Sequence, residues 1–585
     1  MFSAPPMLYS EVFSAEIPHP DKKLTIIGAG IVAALEVYFA HQAALAAGES
    51  LRTTMFEKNS SLSETTASNI APSLTPDEIL SVVPRGHALL EKLGIVFSQP
   101  GGIRVDDVPG VNDSETAQRF IEQVQRDSVD EVAYQERTET LLRLGKESME
   151  LWQKIYDEGD EALRTIMEDA NFNPCREPTQ EISVLHDGYR IDLMYGIPNA
   201  LSKAEGMKAD YEKLGYRHCK ILSPDEVAAL DPSLKNFCLR YSQELMGDAP
   251  AWQDDVVALY RPGGCLNTEV FLPKFYEYLR KKMGQYTSDS GLQKDCLQLR
   301  FNRRVDELLY ADFANNNACT IVGLRYNYEL LKVNKHAYGK SDYVFCSGEA
   351  VGTLEKLGLE EPAYTGFAGA SLKLRIPVPA DRLEEYQSFN HCMEVHKEGI
   401  VLAWQARLMQ DAVDNNHYIA IGVAGTKAFY DVQSPNKNEA FARDRNLLQL
   451  NMMNDVLPEP ISWALGSAAK GQDLTADDLQ FLENKGIAKR WVGIRAVAYD
   501  GFPTLGCVFN QETGHPVENA RTTTHLGSGG VSFAPAAVLF SRAAKRKRDG
   551  DAERVPGSVG SATVASNDAI DPLVAAVTKY GNSQR

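Results

Sequence analysis

Apolar residues near the start of the chain follow two different periods. The segment 23–27, with apolar Leu24, Ile26 and Ile27, predicts a buried strand, and the apolar residues that follow a glycine turn predict a helix. The segment 52–56, with two β-branched threonines followed by Met55 and Phe56, predicts another strand, which ends in the acidic Glu57. A strand, a glycine turn, a helix and an acid-ended strand in this order are typical of a dinucleotide-binding α/β unit.

Helical spacing dominates a long stretch between this unit and the middle of the chain. Apolar residues of 113–169 recur at the period of an α-helix, with Leu141 and Trp152 on one stripe. The pattern predicts helices packed on the core or an inserted helical cap. A further helix is predicted at 80–93, and the proline and glycines of 260–267 predict a loop.

The second half of the chain alternates apolar and polar residues. The alternation at 370–376, 400–406 and 418–423 predicts an antiparallel sheet in a second domain, followed by a helix at 439–456. From about residue 545 the periodicity is lost, which predicts a flexible tail over 545–585. The tail opens with four basic residues, for which a solvated helix end is favoured over a nucleic-acid signal.

Composition limits the classes of function. A chain of 585 residues is too long for one typical core, so two or more domains are expected. The net charge of −19 disfavours nucleic acid as the main partner. The nine cysteines form no CxxC pair, so no metal site is predicted, and reduced thiols indicate a cytoplasmic protein. No apolar run is long enough to predict a membrane span.

The glycine turn carries the first candidate chemistry. Gly28 permits a tight turn, and Gly30 lets the backbone approach a pyrophosphate at the positive end of the following helix. Ala33 stands at the third glycine position of the usual fingerprint. Glu57 is placed to accept hydrogen bonds from a ribose. The small polar residues of 63–72 predict a loop that either faces a ligand or is simply solvated.

Four separated stretches, together with Glu57, resemble the FAD-dependent oxidoreductases of the D-amino-acid oxidase superfamily, which includes glycine and sarcosine oxidases. The stretches are 27–32, 342–348, 491–506 and 525–535. The last of them, with its Leu-Gly-Ser-Gly-Gly-Val core, is also similar to the oxidase half of the bifunctional enzyme that modifies the tRNA wobble uridine.

The resemblance implies an α/β fold, α+β overall, in which discontinuous segments assemble a Rossmann-like FAD-binding domain beneath an antiparallel-sheet substrate domain. The implied domains are 22–105, 256–360 and 488–544 for FAD, 181–255 and 361–487 for the substrate, and 106–180 as a helical insertion. The implied FAD-binding residues are Gly28, Ala29, Gly30, Ile31, Val32, Glu57, Lys58, Ser68, Asn69, Ile70, Val305, Ser347, Gly348, Gly493, Gly527, Ser528, Gly529, Gly530, Val531 and Ser532.

The resemblance also implies the chemistry. Arg495 would pair with a substrate carboxylate through two parallel hydrogen bonds, with a structural ion pair as the alternative. His525 is a second catalytic candidate because it adjoins the C-terminal glycines. The expected reaction is hydride transfer from the carbon next to nitrogen to flavin N5, which gives an imine. The substrate would be an amino acid or secondary amine, and the electron acceptor oxygen or another carrier.

Residues 496–498, which follow the arginine, contain no cysteine, so FAD is expected to be bound non-covalently. Two alternatives remain open at the level of sequence. One is an oxidase of a tRNA wobble-uridine side chain, favoured by the C-terminal motif. The other is a flavin-binding interaction module that has lost catalysis.

Overall fold

A computed structural model describes most of the chain. The described residues are 22–69, 73–78, 103–104, 131–173, 188–196, 199–243, 256–288, 290–313, 318–327, 329–332, 341–348, 352–361, 364–386, 390–397, 400–410, 415–430, 439–466, 472–498, 502–527 and 530–548. Ile70, Ser528 and Gly529 of the predicted FAD site lie outside them, as do the predicted helix 80–93 and residues 549–585 of the predicted tail. The first four residues of that tail, 545–548, were predicted to be flexible but form the end of a helix.

The strands are β1 (Lys22–Ile27), β2 (Leu51–Phe56), β3 (Ser73–Leu74), β4 (Ile103–Arg104), β5 (Tyr189–Tyr195), β6 (Lys220–Leu222), β7 (Val256–Pro262), β8 (Gly264–Cys265), β9 (Gln285–Thr287), β10 (Gln293–Asp295), β11 (Leu297–Arg300), β12 (Val305–Phe313), β13 (Ala318–Tyr326), β14 (Glu329–Lys332), β15 (Ser341–Phe345), β16 (Tyr364–Pro377), β17 (Asn390–Lys397), β18 (Ile400–Gln410), β19 (His417–Tyr430), β20 (Ala488–Ala498), β21 (Thr504–Phe509) and β22 (Pro516–Thr524).

The helices are α1 (Ile31–Ala46), α2 (Glu131–Glu158), α3 (Glu161–Asp169), α4 (Ala200–Lys213), α5 (Pro224–Leu230), α6 (Lys235–Gln243), α7 (Thr268–Met283), α8 (Thr353–Lys356), α9 (Glu439–Val456), α10 (Pro458–Leu465), α11 (Ala476–Asn484) and α12 (Ala534–Arg548). Short 3-10 turns occupy Leu62–Glu64, Ala67–Asn69, Pro232–Leu234 and Ala380–Tyr386.

The first sheet is built around parallel strands from distant parts of the chain. Its order is β11-β2-β1-β15-β22-β13-β12, with β14 beside β13 and β21 beside β22. Every contact from β11 through to β22 is parallel. The carboxyl ends of these strands therefore meet at one edge of the sheet, which is where ligands bind in doubly wound α/β folds.

The second sheet is mainly antiparallel. Its order is β20-β16-β19-β18-β17-β5-β7-β6, with β4 beside β19, and only the contacts of β17 with β5 and of β4 with β19 are parallel. The predicted alternation at 370–376, 400–406 and 418–423 lies within β16, β18 and β19. The protein thus combines a parallel α/β sheet with an antiparallel sheet, which confirms the predicted fold class.

Separate apolar cores support the two sheets. One core packs α1, α2, α7 and α12 on the parallel sheet, and Trp152 of α2 is fully buried in it. The other packs α9, α10 and α11 on the antiparallel sheet. The predicted helix 439–456 coincides with α9. The stripe in 113–169 forms α2 and α3, while residues 105–130 lie outside the described part of the chain.

One local prediction is wrong. Residues 260–267, expected to form a loop, continue β7 to Pro262, and only Gly263 separates it from β8. The prediction failed because proline is normally excluded from the interior of a strand. Pro262 is the last residue of the fully buried β7, so its missing N–H removes no hydrogen bond from the strand interior. As a result Arg261 lies inside the second sheet, fully buried.

Candidate functional site

The site lies at the carboxyl edge of the parallel sheet. Three chain segments turn there in succession, after Ile27 of β1, after Phe345 of β15 and after Thr524 of β22. The N–H of Cys346 donates to the carbonyl of Ile27 across 2.9 Å, which draws the first two turns together. The edge therefore collects residues that are some 500 positions apart in sequence.

Gly28 has a backbone that requires glycine. Its φ is +109°, and a Cβ atom there would lie 2.6 Å from the carbonyl oxygen of Cys346. Gly30 is extended and begins α1 without a side-chain cap or an acidic residue in the first turn. The first N–H groups of α1, at Ile31 and Val32, lie at the positive end of the helix dipole.

Glu57 closes the same turn from the neighbouring strand. Its Oε2 accepts a hydrogen bond from the N–H of Ala29 across 3.0 Å, and its Oε1 accepts one from the N–H of Asn59, also across 3.0 Å. Glu57 is 7% exposed. Lys58, the next residue, is exposed. An acid is thus fixed beside the glycine turn, where a ribose of a bound dinucleotide would lie.

The predicted loop at 63–72 forms two 3-10 turns in its described part. The hydroxyl of Ser68 donates to the carbonyl of Leu62 across 2.8 Å, and the amide of Asn69 donates to the carbonyls of Ser63 and Thr65. Both side chains are buried. They hold the turns in shape.

Further predicted residues lie at the same edge. The N–H of Arg303 donates to the carbonyl of Glu57 across 2.8 Å, and Val305, two residues on, begins β12. Ser347 and Gly348 follow Cys346, the first residue after β15, and a Cβ at Gly348 would meet nothing within 4 Å. Open space beside exposed backbone suits a bulky ligand.

His525 is held from several sides. Its φ of +58° is left-handed, and its ring is buried and stacked on Tyr364 with 5.6 Å between centroids. Nδ1 lies 2.7 Å from the hydroxyl of Thr504, and Nε2 lies 3.2 Å from a carboxylate oxygen of Glu361. These contacts fix the turn that leads to Gly527, which also has a left-handed φ, of +59°.

The segment before α12 is anchored by side chains from elsewhere. The indole N–H of Trp152 donates to the carbonyl of Val531 across 3.1 Å. The hydroxyl of Ser532 accepts from the N–H of Thr75 across 3.2 Å and donates to the carbonyl of Ser73 across 3.3 Å. A Cβ at Gly530 would meet nothing within 4 Å. The C-terminal segment is thereby joined to residues 73–78.

Arg495 reaches over glycines of the second sheet. It lies on β20, and a Cβ at Gly369 of β16 would come within 2.6 Å of its guanidinium carbon. Gly493 lies opposite Gly369. Val497, two residues after the arginine, forms a bridge with Leu526, so this part of β20 adjoins the turn after His525. The structure thus brings Arg495 to the C-terminal glycine segment.

Two buried arginines, missed at the level of sequence, lie across from each other on β5 and β7. Arg190 contacts Asp192 at 3.0 Å, Glu394 at 2.8 Å and the hydroxyl of Ser73 at 2.7 Å. The sequence feature that could have revealed them is the pair Arg190 and Asp192, two charged residues at alternate positions of an otherwise apolar strand. Side chains two residues apart on a strand share one face.

Arg261 completes this ionic cluster. It contacts Asp192, Glu394 and the hydroxyl of Tyr211, and it lies 3.2 Å from Asp77. Burial raises the pKa of Glu394, but Arg190 and Arg261 hold it well below its usual value. Asp192, Glu394 and His396 also meet the spacing of metal ligands, yet both carboxylates already pair with guanidinium groups.

Glu78 interacts electrostatically both with this cluster and with Arg495. Burial and the charges of Glu394 and Asp77 raise its pKa to about 7, against the opposite effect of Arg190 and Arg495. Burial lowers the pKa of Arg495, and Glu78 partly offsets that change. A carboxyl group that titrates near neutral pH beside a guanidinium is typical of a functional site.

Comparison with known proteins gives a limited picture. No family model and no curated protein matches the chain. Among solved structures, a glycine oxidase from Bacillus cereus is 13% identical, with a TM-score of 0.46 over 91% of this chain and 95% of that one. An L-amino acid deaminase from Proteus myxofaciens is 12% identical, with a TM-score of 0.44 over 92% of each chain.

An L-α-glycerophosphate oxidase from Mycoplasma pneumoniae with FAD bound is 12% identical, with a TM-score of 0.44 over 90% of this chain and 94% of that one. These values fall short of a family assignment. In the described part of the chain, no helix combines the length and the apolar character needed to cross a membrane.

Proposed function

We propose that the protein is an FAD-dependent oxidoreductase that acts on an amino acid or a secondary amine. The observation that carries the proposal is the convergence of the glycine turn, an acid-ended second strand and the C-terminal glycine segment at one edge of a parallel sheet, with Arg495 beside them. Under this proposal the parallel sheet binds FAD, and the antiparallel sheet covers the substrate.

The residues at the edge fit a flavin dinucleotide. The turn at Gly28 would place the pyrophosphate at the uncapped start of α1, and Glu57 would receive the ribose hydroxyls. Gly348 and Gly530 border open space rather than packed side chains. FAD bound there would supply the acceptor for a hydride from the carbon next to nitrogen.

Arg495 would hold the substrate by its carboxylate. A guanidinium offers two parallel donors to a carboxylate, so it fixes orientation as well as charge. Its half-buried position strengthens this contact, since fewer water molecules compete for the same groups. His525 stays a catalytic candidate, although both of its ring nitrogens face protein partners.

Purified protein should carry FAD that acid precipitation releases, because no covalent link is expected. Anaerobic addition of amino acids and N-methyl amines should then bleach the flavin absorbance. Bleaching by no compound in the panel would favour a non-catalytic flavin-binding module. Retention of labelled tRNA at physiological salt would instead favour the wobble-uridine alternative.

The variant Arg495→Met should weaken binding of a carboxylate substrate by about 2–5 kcal/mol, because the substrate charge would be left without its partner. The measurement is the substrate dependence of anaerobic flavin reduction. Arg375→Met is the matched control, since this arginine is exposed on the neighbouring strand β16. Equal apparent affinities in wild type and Arg495→Met would contradict the proposed anchor.

A further inference from the structure

The segment Ser73 to Glu78 connects the two halves of the proposed site. Its backbone is tied to Ser532 on the flavin side. Its side chains are tied to Arg190 through Ser73 and to Arg261 through Asp77, and Tyr211 donates to Asp77 across 2.6 Å. Because the segment is held at three places, the position of the backbone that carries its last residue is fixed.

That last side chain is Glu78. One of its oxygens, Oε2, accepts a hydrogen bond from the hydroxyl of Thr75 across 3.3 Å. The charged groups that act on it are Glu394, Arg190, Asp77 and Arg495. Glu78 therefore interacts electrostatically with the proposed carboxylate anchor, and it lies on a segment that also contacts Ser532.

We infer that Glu78 contacts the amine nitrogen of the substrate and accepts the proton that an ammonium group must lose before oxidation. This inference rests on the proposed function. In the step, an N–H bond of the ammonium breaks, the electron pair stays on nitrogen, and the proton forms an O–H bond with the Glu78 carboxylate. Loss of hydride from the neighbouring carbon requires that lone pair.

Two features separate this role from that of a structural partner of Arg495. A purely structural carboxylate would affect every carboxylate ligand alike. A carboxylate that receives the amine would affect only ligands that carry an amine. With a pKa raised to about 7, Glu78 also exchanges its proton near neutral pH, which suits a general base.

The test uses two probes that differ by one group. In 2-aminoisobutyrate an ammonium replaces one methyl group of pivalate, and neither compound has a hydrogen on the carbon next to the carboxylate, so neither can be oxidised there. Calorimetry at pH 8 on the FAD-loaded protein should show about tenfold to a hundredfold tighter binding of 2-aminoisobutyrate, as expected for a charged hydrogen bond.

Glu78→Gln should abolish this preference and leave the affinity for pivalate unchanged. Glu147→Gln is the matched control, because burial and Glu150 raise the pKa of Glu147 to about 7 as well, but it lies on α2. It should retain the preference. Glu78→Asp, which keeps the charge, serves if Glu78→Gln does not fold.

The number of protons released to the buffer when a probe binds to the wild-type protein provides a second measurement. At pH 6 Glu78 is mostly protonated, so binding of 2-aminoisobutyrate should release close to one proton to the buffer. At pH 8 Glu78 is mostly ionised, so the release should be close to zero. Pivalate should release none through Glu78 at either pH, and the Glu78→Gln variant should lose the release at pH 6.

The two hypotheses can fail separately. Preference retained in Glu78→Gln, or absent in the wild type, would overturn the role of Glu78 even if amino acids bleach the flavin. Unchanged binding of pivalate to Arg495→Met would overturn the anchor of the proposed function while the preference set by Glu78 stands. Failure of both probes to bind would overturn both.

Discussion

At the scale of single residues, two glycines set the geometry of the site in different ways. Gly28 supplies a backbone conformation and a close approach that other residues cannot make. Gly369 supplies only space, which the guanidinium of Arg495 fills. Substitution of each by alanine therefore tests a different part of the site.

Gly28→Ala should lose FAD. A Cβ 2.6 Å from a backbone oxygen cannot be relieved by a side-chain rotation, and a left-handed alanine costs about 1–2 kcal/mol in addition. The measurement is the ratio of flavin to protein absorbance after purification. Gly48→Ala is the control, because Gly48 has a φ of +67° but meets nothing within 4 Å. A full flavin content in Gly28→Ala would contradict the proposed role of the turn.

Gly369→Ala should weaken carboxylate binding without removing FAD. The added methyl group would displace the guanidinium of Arg495, so the two hydrogen bonds to the carboxylate would lose their alignment. A weakening of about tenfold, or ~1.4 kcal/mol, is expected in pivalate calorimetry. The control is Gly422→Ala on β19, where a Cβ meets nothing within 4 Å. Equal affinities in the two variants would show that Arg495 does not need this space.

At the scale of elements, charged pairs join parts of the structure that are distant in sequence. Glu36 of α1 is fully buried and pairs with Arg521 of β22 and, at 2.8 Å, with Arg542 of α12. The ionic cluster of Arg190 and Arg261 similarly joins β5, β7 and β17 to the segment 73–78. Both sets join elements that carry residues of the proposed site.

Arg261→Met should destabilise the protein by about 3–5 kcal/mol. It would leave Asp192 and Glu394 buried with one guanidinium instead of two, and an uncompensated buried charge is costly. Urea denaturation measures the change in the free energy of unfolding. The control, the exposed Arg375→Met, should change it by less than ~1 kcal/mol. A similar small change in both variants would contradict the role assigned to the cluster.

At the scale of the whole molecule, the proposed FAD site is shared among the two ends and the middle of the described chain. Residues 27–30, 345–348, 525–527 and 530–532 all adjoin it, so a bound dinucleotide would link segments that are far apart in sequence. Ligand binding to the folded state alone stabilises that state by mass action. The stability of the whole molecule should therefore depend on FAD.

Adding FAD to protein freed of flavin should raise the unfolding temperature. At a free concentration one hundred times Kd the gain is about 2.7 kcal/mol. Differential scanning calorimetry measures it, and AMP at equal concentration serves as the ligand control. An unfolding temperature that does not change with FAD would contradict a site built from these segments.

Local patterns were enough to predict much of this protein. The glycine turn, the acid at the end of β2, the alternation of the second sheet and helix α9 all follow from neighbours in sequence, because turn chemistry and periodicity are local properties. The predicted roles of Arg495 and His525 came from resemblance, and they stay predictions. The structure adds that Arg495 reaches across Gly369 and that His525 is held between Thr504 and Glu361.

Only the tertiary structure decided which charged groups act on Glu78, the acid that interacts with Arg495. Arg190, Arg261 and Glu394 lie on three strands that pair across long stretches of chain, and Glu78 follows a segment that is ordered by Ser532 from the far end. No local pattern encodes such meetings, since each depends on which strands become neighbours. The sequence by itself predicted where a dinucleotide would be anchored, because a glycine turn is a local pattern. The packing of the sheets decided which charged side chains meet in the buried cluster, because those residues lie far apart in the chain.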